Sequence, residues 1–336
     1  MRAPEFWRGD RRGTGARLTR LALTPASWLF QAGAWLRRRA TRPCVAGVPV
    51  VCIGNLVAGG AGKTPAALAL ARAFVREDLR VHFLARGYGG REAGPIRVDP
   101  ERHVAGEVGD EALLLARVAP TWIARDRKAG IAAAAESGPD LVIMDDGFQN
   151  PAVRPDASLL VFDGGYGLGN NRTLPAGPLR ESLASGLART AAAMIVGPDE
   201  TGLAGRLGGV PLFEAEIRPD PVAAHRLQGR RVVAIAGIGR PEKFFGTLAG
   251  LGATIVARHA FADHHPFDAR TLDRILAEAQ SLDATIVTTE KDAARLPTAY
   301  RARIETLPVT LEIRDLARLL ALIRTKIGMP GNGRPA

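Results

Sequence analysis

"GNLVAGGAGKTP", residues 54–65, follows the apolar run "VPVVCIGN" (48–55) and precedes the helix-forming "TPAALALARAFVRED" (64–78). A buried-type strand, a glycine-rich turn and a helix, in that order, form the setting of a phosphate-binding loop. Gly62-Lys63-Thr64 is the ending such a loop needs, but Val57 stands where the usual first glycine would be, and the glycines sit at 54, 59 and 60. Phosphate binding asks for successive backbone N–H groups turned inward, which glycines permit without Cβ clashes. The positive end of the following helix adds to the attraction. The expected cradle is therefore Val57, Ala58, Gly59, Gly60, Ala61, Gly62, Lys63 and Thr64, with Lys63 reaching the β- and γ-phosphates of a nucleotide and the Thr64 hydroxyl ligating Mg²⁺.

Working outward, strand and helix patterns alternate. Strands are expected at 80–85, 121–124, 140–146, 158–164 and 193–197, with helices after about 110 and near 127–137. This predicts a P-loop NTPase-type α/β domain, a three-layer α/β/α sandwich over 43–215, with ligands at the carboxyl ends of its strands. Residues 216–229 are broken by prolines and read as a connector. Strands at 230–237, 253–261, 284–292 and 309–313 then predict a second, smaller α/β domain over 230–327, and the tail 328–336 reads as disordered.

The chain has 336 residues and a net charge of +11. Residues 1–42 hold ten arginines against Glu5 and Asp10, so most of the surplus is N-terminal. It brackets the apolar segment "LALTPASWLFQAGAWL" (21–36), in which Trp28 and Trp35 share a helical face and Pro25 suits a helix start. Sixteen apolar-rich residues fall short of the roughly 20 needed to span a bilayer. One reading is an interfacial helix on an anionic membrane; the other is an ordinary helix packed on the domain with solvated basic flanks. A surplus confined to one end, without interleaved aromatics through the fold, speaks against a nucleic-acid partner. Cys44 and Cys52 show no metal-type spacing, and Cys52 lies in an apolar run, which fits a core residue in a reducing setting.

"LVIMDDGFQN" (141–150) delivers Asp145 and Asp146 to the same sheet edge as the glycine-rich loop, the logic of a Walker B strand. "EVGDEALLLA" (107–116) puts Asp110 and Glu111 at a helix start, where capping alone would account for them. In "FADHHPF" (261–267), His264 and His265 suit either metal binding or a histidine–carboxylate pair for proton transfer. "LPAGPLRES" (174–182) brings Arg180 and Glu181 to another helix start, as a phosphate clamp or as surface capping. "AGIGRPEKFF" (236–245) has Glu242 where the dinucleotide fingerprint needs glycine, so it reads as a strand-to-helix turn.

Together with "ARGYGG" (85–90), "GDE" (109–111), "DDGFQ" (145–149) and "TTEKDA" (288–293), these segments in this order resemble the tetraacyldisaccharide 4'-kinases of lipid A synthesis over nearly the whole chain. That family's loop has the same displaced glycine. The resemblance implies ATP-dependent phosphorylation of the 4'-hydroxyl of an acylated glucosamine disaccharide 1-phosphate, giving lipid IVA. It also implies two domains joined by a β-ribbon, an N-terminal membrane-binding helix, and a place at the cytoplasmic face of the bacterial inner membrane. By its pattern Asp110 is the catalytic base and His264 its partner. Lys63 completes the catalytic set; Thr64, Asp145, Asp146 and Glu181 serve the metal, and Arg180 lies near the phosphates. The main rival is a membrane-associated switch or partitioning ATPase, but such proteins carry a lysine where this chain has Ala58. A GTPase would need N-K-x-D, and "TEKD" (289–292) lacks the asparagine.

Overall fold

Hydrophobic runs buried on both faces decide the centre of the molecule. In the computed structural model, which describes residues 4–9 and 13–329, the stretch Val50–Gly54 (β1) is fully buried and lies in the middle of a sheet. The other strands of that sheet are Val81–Ala85 (β2), Ile96–Arg97 (β3), Thr121–Ile123 (β4), Leu141–Asp145 (β5), Ala157–Asp163 (β6), Ala192–Val196 (β7) and Leu212–Pro219 (β8). Arg231–Ala236 (β9), Thr254–Ala260 (β10), Thr285–Thr289 (β11) and Glu305–Leu307 (β12) form a second sheet. Val309–Ile313 (β13) returns to the first.

The larger sheet runs β13-β8-β7-β6-β1-β5-β2-β4-β3, parallel except for its edge strands β3 and β13. β1 therefore sits between β5 and β6, with Ile53 in register with Asp145. That register brings the ends of the glycine-rich strand and the acidic strand side by side. Apolar clusters cover both sheet faces, one built on Val51, Phe74 and Phe83, the other on Val50, Leu84 and Phe162. The smaller sheet, β10-β9-β11-β12, is parallel and likewise has a core on each face.

The strand Val309–Ile313 corrects the expected division of the chain. It pairs antiparallel with β8, and the helix Leu316–Lys326 buries Leu319, Leu320 and Ile323 in the cluster that holds Phe74. The expected connector is itself partly strand, since β8 runs to Pro219 and pairs first with β7 and then with β13. Chain thus leaves the large sheet on one arm of a two-stranded ribbon and returns on the other. The alternation alone could not show this, because a strand's pattern tells which face is buried and not which sheet supplies its partner.

Two helices matter most for function. Lys63–Val75 (α2) starts behind Gly62, which takes a left-handed φ of 86°, and buries Ala66, Ala67, Leu70, Ala71 and Phe74 under the sheet. Pro65 falls in its first turn, where the missing N–H costs no helical bond. Thr14–Ala40 (α1) is longer than the apolar segment suggested, and Pro25 lies inside it rather than at its start. Pro25 and Leu21, whose carbonyl loses its donor, are both exposed, so water can replace the missing bond. The proposed disordered tail lies, beyond Met329, outside the described residues.

Candidate active site

The glycine-rich loop is held open from behind. Asn55, fully buried, donates through Nδ2 to the carbonyls of Val57 (2.6 Å) and Gly59 (3.3 Å). The segment 178–180 runs alongside, with the Ala58 N–H donating to Pro178 O (2.8 Å) and the Arg180 N–H to Leu56 O (2.7 Å). Ala58 therefore braces the loop, because its donor is already engaged, and Val57 gives its carbonyl to Asn55. Among the described residues, the N–H groups of Gly59, Gly60, Ala61 and Gly62 make no backbone hydrogen bond. The first-turn donors of α2 are free as at any helix start. These groups and the Lys63 side chain define a concave, positive end of β1, suited to phosphate oxygens.

The paired aspartates diverge. Asp145 is buried and its Oδ2 accepts from the Thr64 hydroxyl at 2.9 Å, while Oδ1 has no partner. Burial, reinforced by the charge of Glu111, pushes its carboxyl up to about 7. Asp146, in a left-handed conformation with φ of 54°, turns the other way. Its Oδ1 lies 2.9 Å from Arg180 and 3.7 Å from Lys63. Burial alone would raise Asp146, but Lys63 and Arg180 outweigh it and hold the carboxyl below its ordinary range. Gln149 supports the group, accepting from Arg180 at 3.3 Å and donating to Asn55 O at 2.9 Å.

Glu181 is engaged by side chains of other elements. Its Oε2 accepts from Arg38 of α1 (2.8 Å), Arg189 (2.5 Å) and the Ser185 hydroxyl (3.0 Å), and Oε1 lies 3.4 Å from the Gln149 amide. A buried carboxylate already matched by two guanidiniums has little to offer a cation. Its metal role is what the family resemblance implies; the arginines that bind Glu181 here come from other elements and leave no local sign.

Across the loop, the helix Asp110–Ala116 begins immediately after Gly109, whose φ is 91° and where an added Cβ would lie 2.5 Å from Tyr88 O. Only glycine fits there, and it sets Asp110 at the cleft. Asp110 is buried, and both its oxygens face His264 Nδ1, at 3.0 and 3.1 Å. Arg295 Nε is 3.5 Å away. Burial opposes the charge on Asp110, but the hydrogen bond from His264 and the charges of Lys291 and Arg295 prevail and lower its pKa. His264 takes a left-handed φ of 59°, with the Tyr88 ring 4.9 Å from its own. His265 is not in the pair; it stacks on Phe261 and shows no metal cluster partners among the described residues.

Sequence reading missed three parts of this cleft. Asn55 and Gln149 lie inside recognised motifs without a role. Lys291 is the third: it falls in "TTEKDA", which carries the resemblance and lacks a guanine motif but assigns the lysine no role, yet its ammonium lies within 3.3 Å of Glu111, Asp263 and His264. A second bridge between the two sheets' units joins Arg240 (2.7 Å) and Lys243 (2.5 Å) to Asp163 at the end of β6. Between the bridges the turn at Gly239 comes close to the Gly60 backbone. The cleft is thus roofed by the smaller unit and floored by the glycine-rich loop.

The family model of the tetraacyldisaccharide-1-P 4'-kinases matches residues 19–328. A tetraacyldisaccharide 4'-kinase of Rhodospirillum centenum is 53% identical, the match covering 96% of each chain. One of Rhodospirillum rubrum is 51% identical over 96% of this chain and 97% of the relative. Among solved structures, the "apo" form LpxK of Aquifex aeolicus in complex with ATP superposes with a TM-score of 0.74 at 26% identity, covering 92% of this chain and 99% of that one. The chain belongs to the tetraacyldisaccharide-1-P 4'-kinase family.

Proposed function

We propose that this chain transfers the γ-phosphate of ATP to the 4'-hydroxyl of a tetraacyldisaccharide 1-phosphate, forming lipid IVA in lipid A biosynthesis. The observation that carries this reading is the Asp110–His264 pair beside the free donors of residues 59–62: the turn at Gly239 lies against both the Gly60 backbone and Asp263, and Asp263 shares Lys291 with His264. In the reaction the acceptor O–H breaks and its proton passes to the Asp110 carboxylate. The oxygen bonds to the γ-phosphorus as the bond from phosphorus to the ADP oxygen breaks. A sugar hydroxyl is too weak an acid to be ionised beforehand, so a carboxylate in place is the natural acceptor. Asp110, held ionised by its cationic neighbours, is ready for that role. Lys63 and Arg180, tethered by Asp146, supply positive charge where the transferring group gathers negative charge.

Mg²⁺ fits the residues present. Thr64 Oγ1 and the unpartnered Oδ1 of buried Asp145 are hard oxygen donors beside the cradle, and Mg²⁺ typically takes one or two protein oxygens plus phosphates and water. When bound it would neutralise charge on the β- and γ-phosphates. Asp146 serves the cations Lys63 and Arg180 instead.

The acceptor's acyl chains anchor it in a bilayer, and α1 is shaped to meet one. Leu18, Leu21, Trp28, Leu29, Trp35 and Leu36 are exposed, while Thr24, Ser27, Gln31, Ala34 and Arg38 face the protein. No helix among the described residues is long and apolar enough to cross a membrane. An interfacial helix on the anionic cytoplasmic face of the inner membrane suits this pattern, with indoles at headgroup depth and arginines on phosphates.

The test is ADP release by the purified full chain with Mg-ATP, with and without the acylated disaccharide in mixed micelles. Acceptor-dependent release is expected. Equal release without acceptor would favour the switch-ATPase reading and overturn this one.

A further inference from the structure

Lys291 stands where the two units meet, and a count of its hydrogen bonds determines the state of His264. A lysine ammonium has three N–H donors and no acceptor. Three groups surround it: Glu111 Oε1 at 3.1 Å, Asp263 Oδ1 at 3.3 Å and His264 Nε2 at 3.2 Å. Each donor therefore has one acceptor, which requires a lone pair on Nε2 and places the imidazole proton on Nδ1. Nδ1 is the atom that faces both oxygens of Asp110. The opposite tautomer would set an N–H against an ammonium and a lone pair against a carboxylate. A doubly protonated ring would satisfy Asp110 but leave Nε2–H pointing at Lys291, with Asp263 Oδ1 at 3.8 Å as its nearest acid.

The groups facing this imidazole are Asp110 from the helix Asp110–Ala116, Tyr88 from the loop after β2, Asp263 from its own loop and Lys291 from the chain after β11, with Glu111 behind Lys291 and Arg295 behind Asp110. Apart from the Tyr88 ring, every one has a place in the arrangement with a neutral Nδ1–H ring. Lys291 also ties Glu111 of the large unit to Asp263 of the small one, and Asp110 reaches Nδ1 from the large unit, so both ring nitrogens are engaged only when the cleft is assembled.

We propose that Lys291 is a positioning residue that locks His264 as the neutral Nδ1–H tautomer, so that His264 serves Asp110 as a hydrogen-bond donor and does not take the acceptor's proton from it. The tautomer rests on geometry alone; its catalytic consequence rests on the kinase reading. It replaces the simpler picture of an Asp110–His264 relay, because the nitrogen facing Asp110 already carries its hydrogen.

The experiment is nitrogen NMR of the ¹⁵N-histidine-labelled full chain without ligands, with the His264 signals assigned by their loss in His264→Asn. Expected for the wild type is a pyrrole-type Nδ1 and a pyridine-type Nε2. A protonated Nε2 would overturn the proposal without touching the kinase reading. Lys291→Met should shift His264 toward Nε2 protonation and move the acid limb of kcat to higher pH. It should also lower kcat roughly tenfold, with KM for ATP little changed, as expected when a general base loses part of its orientation. Lys291→Arg, which keeps a donor, should restore the wild-type nitrogen shifts and much of kcat. Unchanged His264 shifts in Lys291→Met, or wild-type shifts in Lys291→Arg without recovery of kcat, would contradict it. The wild-type spectrum and the arginine variant decide the matter even if the methionine variant does not fold. Failure of the kinase reading would be recognised separately, as no phosphorylated lipid from a wild type with the expected tautomer.

Discussion

α1 and α2 are built on opposite principles. α2 turns alanines, Leu70 and Phe74 toward the sheet and contributes Lys63 and Thr64 to the cleft. α1 turns Ser27, Thr24 and Gln31 inward and leaves Trp28, Trp35, Leu18, Leu21, Leu29 and Leu36 outside. Its docking is polar: Ser27 Oγ lies 3.0 Å from Thr173 O and accepts from the Ala176 N–H at 3.1 Å, and Arg38 reaches Glu181. A soluble protein gains nothing from such an inverted helix, since an exposed apolar stripe is the part that needs cover. The difference teaches that apolar residues in the first helix serve an outside surface, whereas those in the second serve the fold.

This contrast can be broken by substitution. Phe74→Ala, in the core under α2, should cost about 3–5 kcal/mol of unfolding free energy in urea titrations. Trp28→Ala on α1, though it removes a larger ring, should stay within about 0.5 kcal/mol. Comparable losses at the two sites would erase the distinction. Lys63→Ala at the start of α2 should lower kcat by roughly 10²–10³-fold while leaving vesicle binding intact. Replacing Trp28 and Trp35 together should do the reverse, with binding to anionic vesicles falling at least about tenfold in co-sedimentation and turnover on detergent-dispersed acceptor nearly preserved.

A pH effect sharpens the interior side of the comparison. Asp145 has a folded-state pKa of about 7, above its ordinary value, so the nucleotide-free folded protein keeps a proton there that the unfolded chain releases. Stability should fall as pH rises from about 4 toward 7 and level off above. Asp145→Asn should flatten that slope, whereas substitutions of the exposed Trp28 should leave it unchanged; a slope that persists in Asp145→Asn would assign it to another group.

Local sequence pointed to the loop and to Asp145 and Asp146 at a strand end, whereas the roles of Asp110 and His264 came from the family resemblance, since capping would account for the first and metal binding for the second. Local sequence did not carry what depends on distant chain. Glu181 meets Arg38, which comes from distant α1, and Arg189, which comes from beyond the next helix. Val309–Ile313 read as a strand of the smaller unit, but its hydrogen-bonding partner is β8. Ala58 counted as cradle, although Pro178 takes its donor. Lys291 was visible only as a letter in a motif, since its three partners lie far apart in sequence or across the cleft. Pairings of this kind are set by packing and charge balance in three dimensions, which periodicity does not encode.

The measurement that bears most directly on the account is phosphorus NMR of the lipid recovered after incubating the full chain with Mg-ATP and tetraacyldisaccharide 1-phosphate. A new phosphomonoester on the 4'-oxygen is expected from the wild type, and a rate lower by roughly 10²–10⁴-fold from Asp110→Asn with ATP binding preserved. A phosphate elsewhere on the lipid, or full activity in Asp110→Asn, would contradict it.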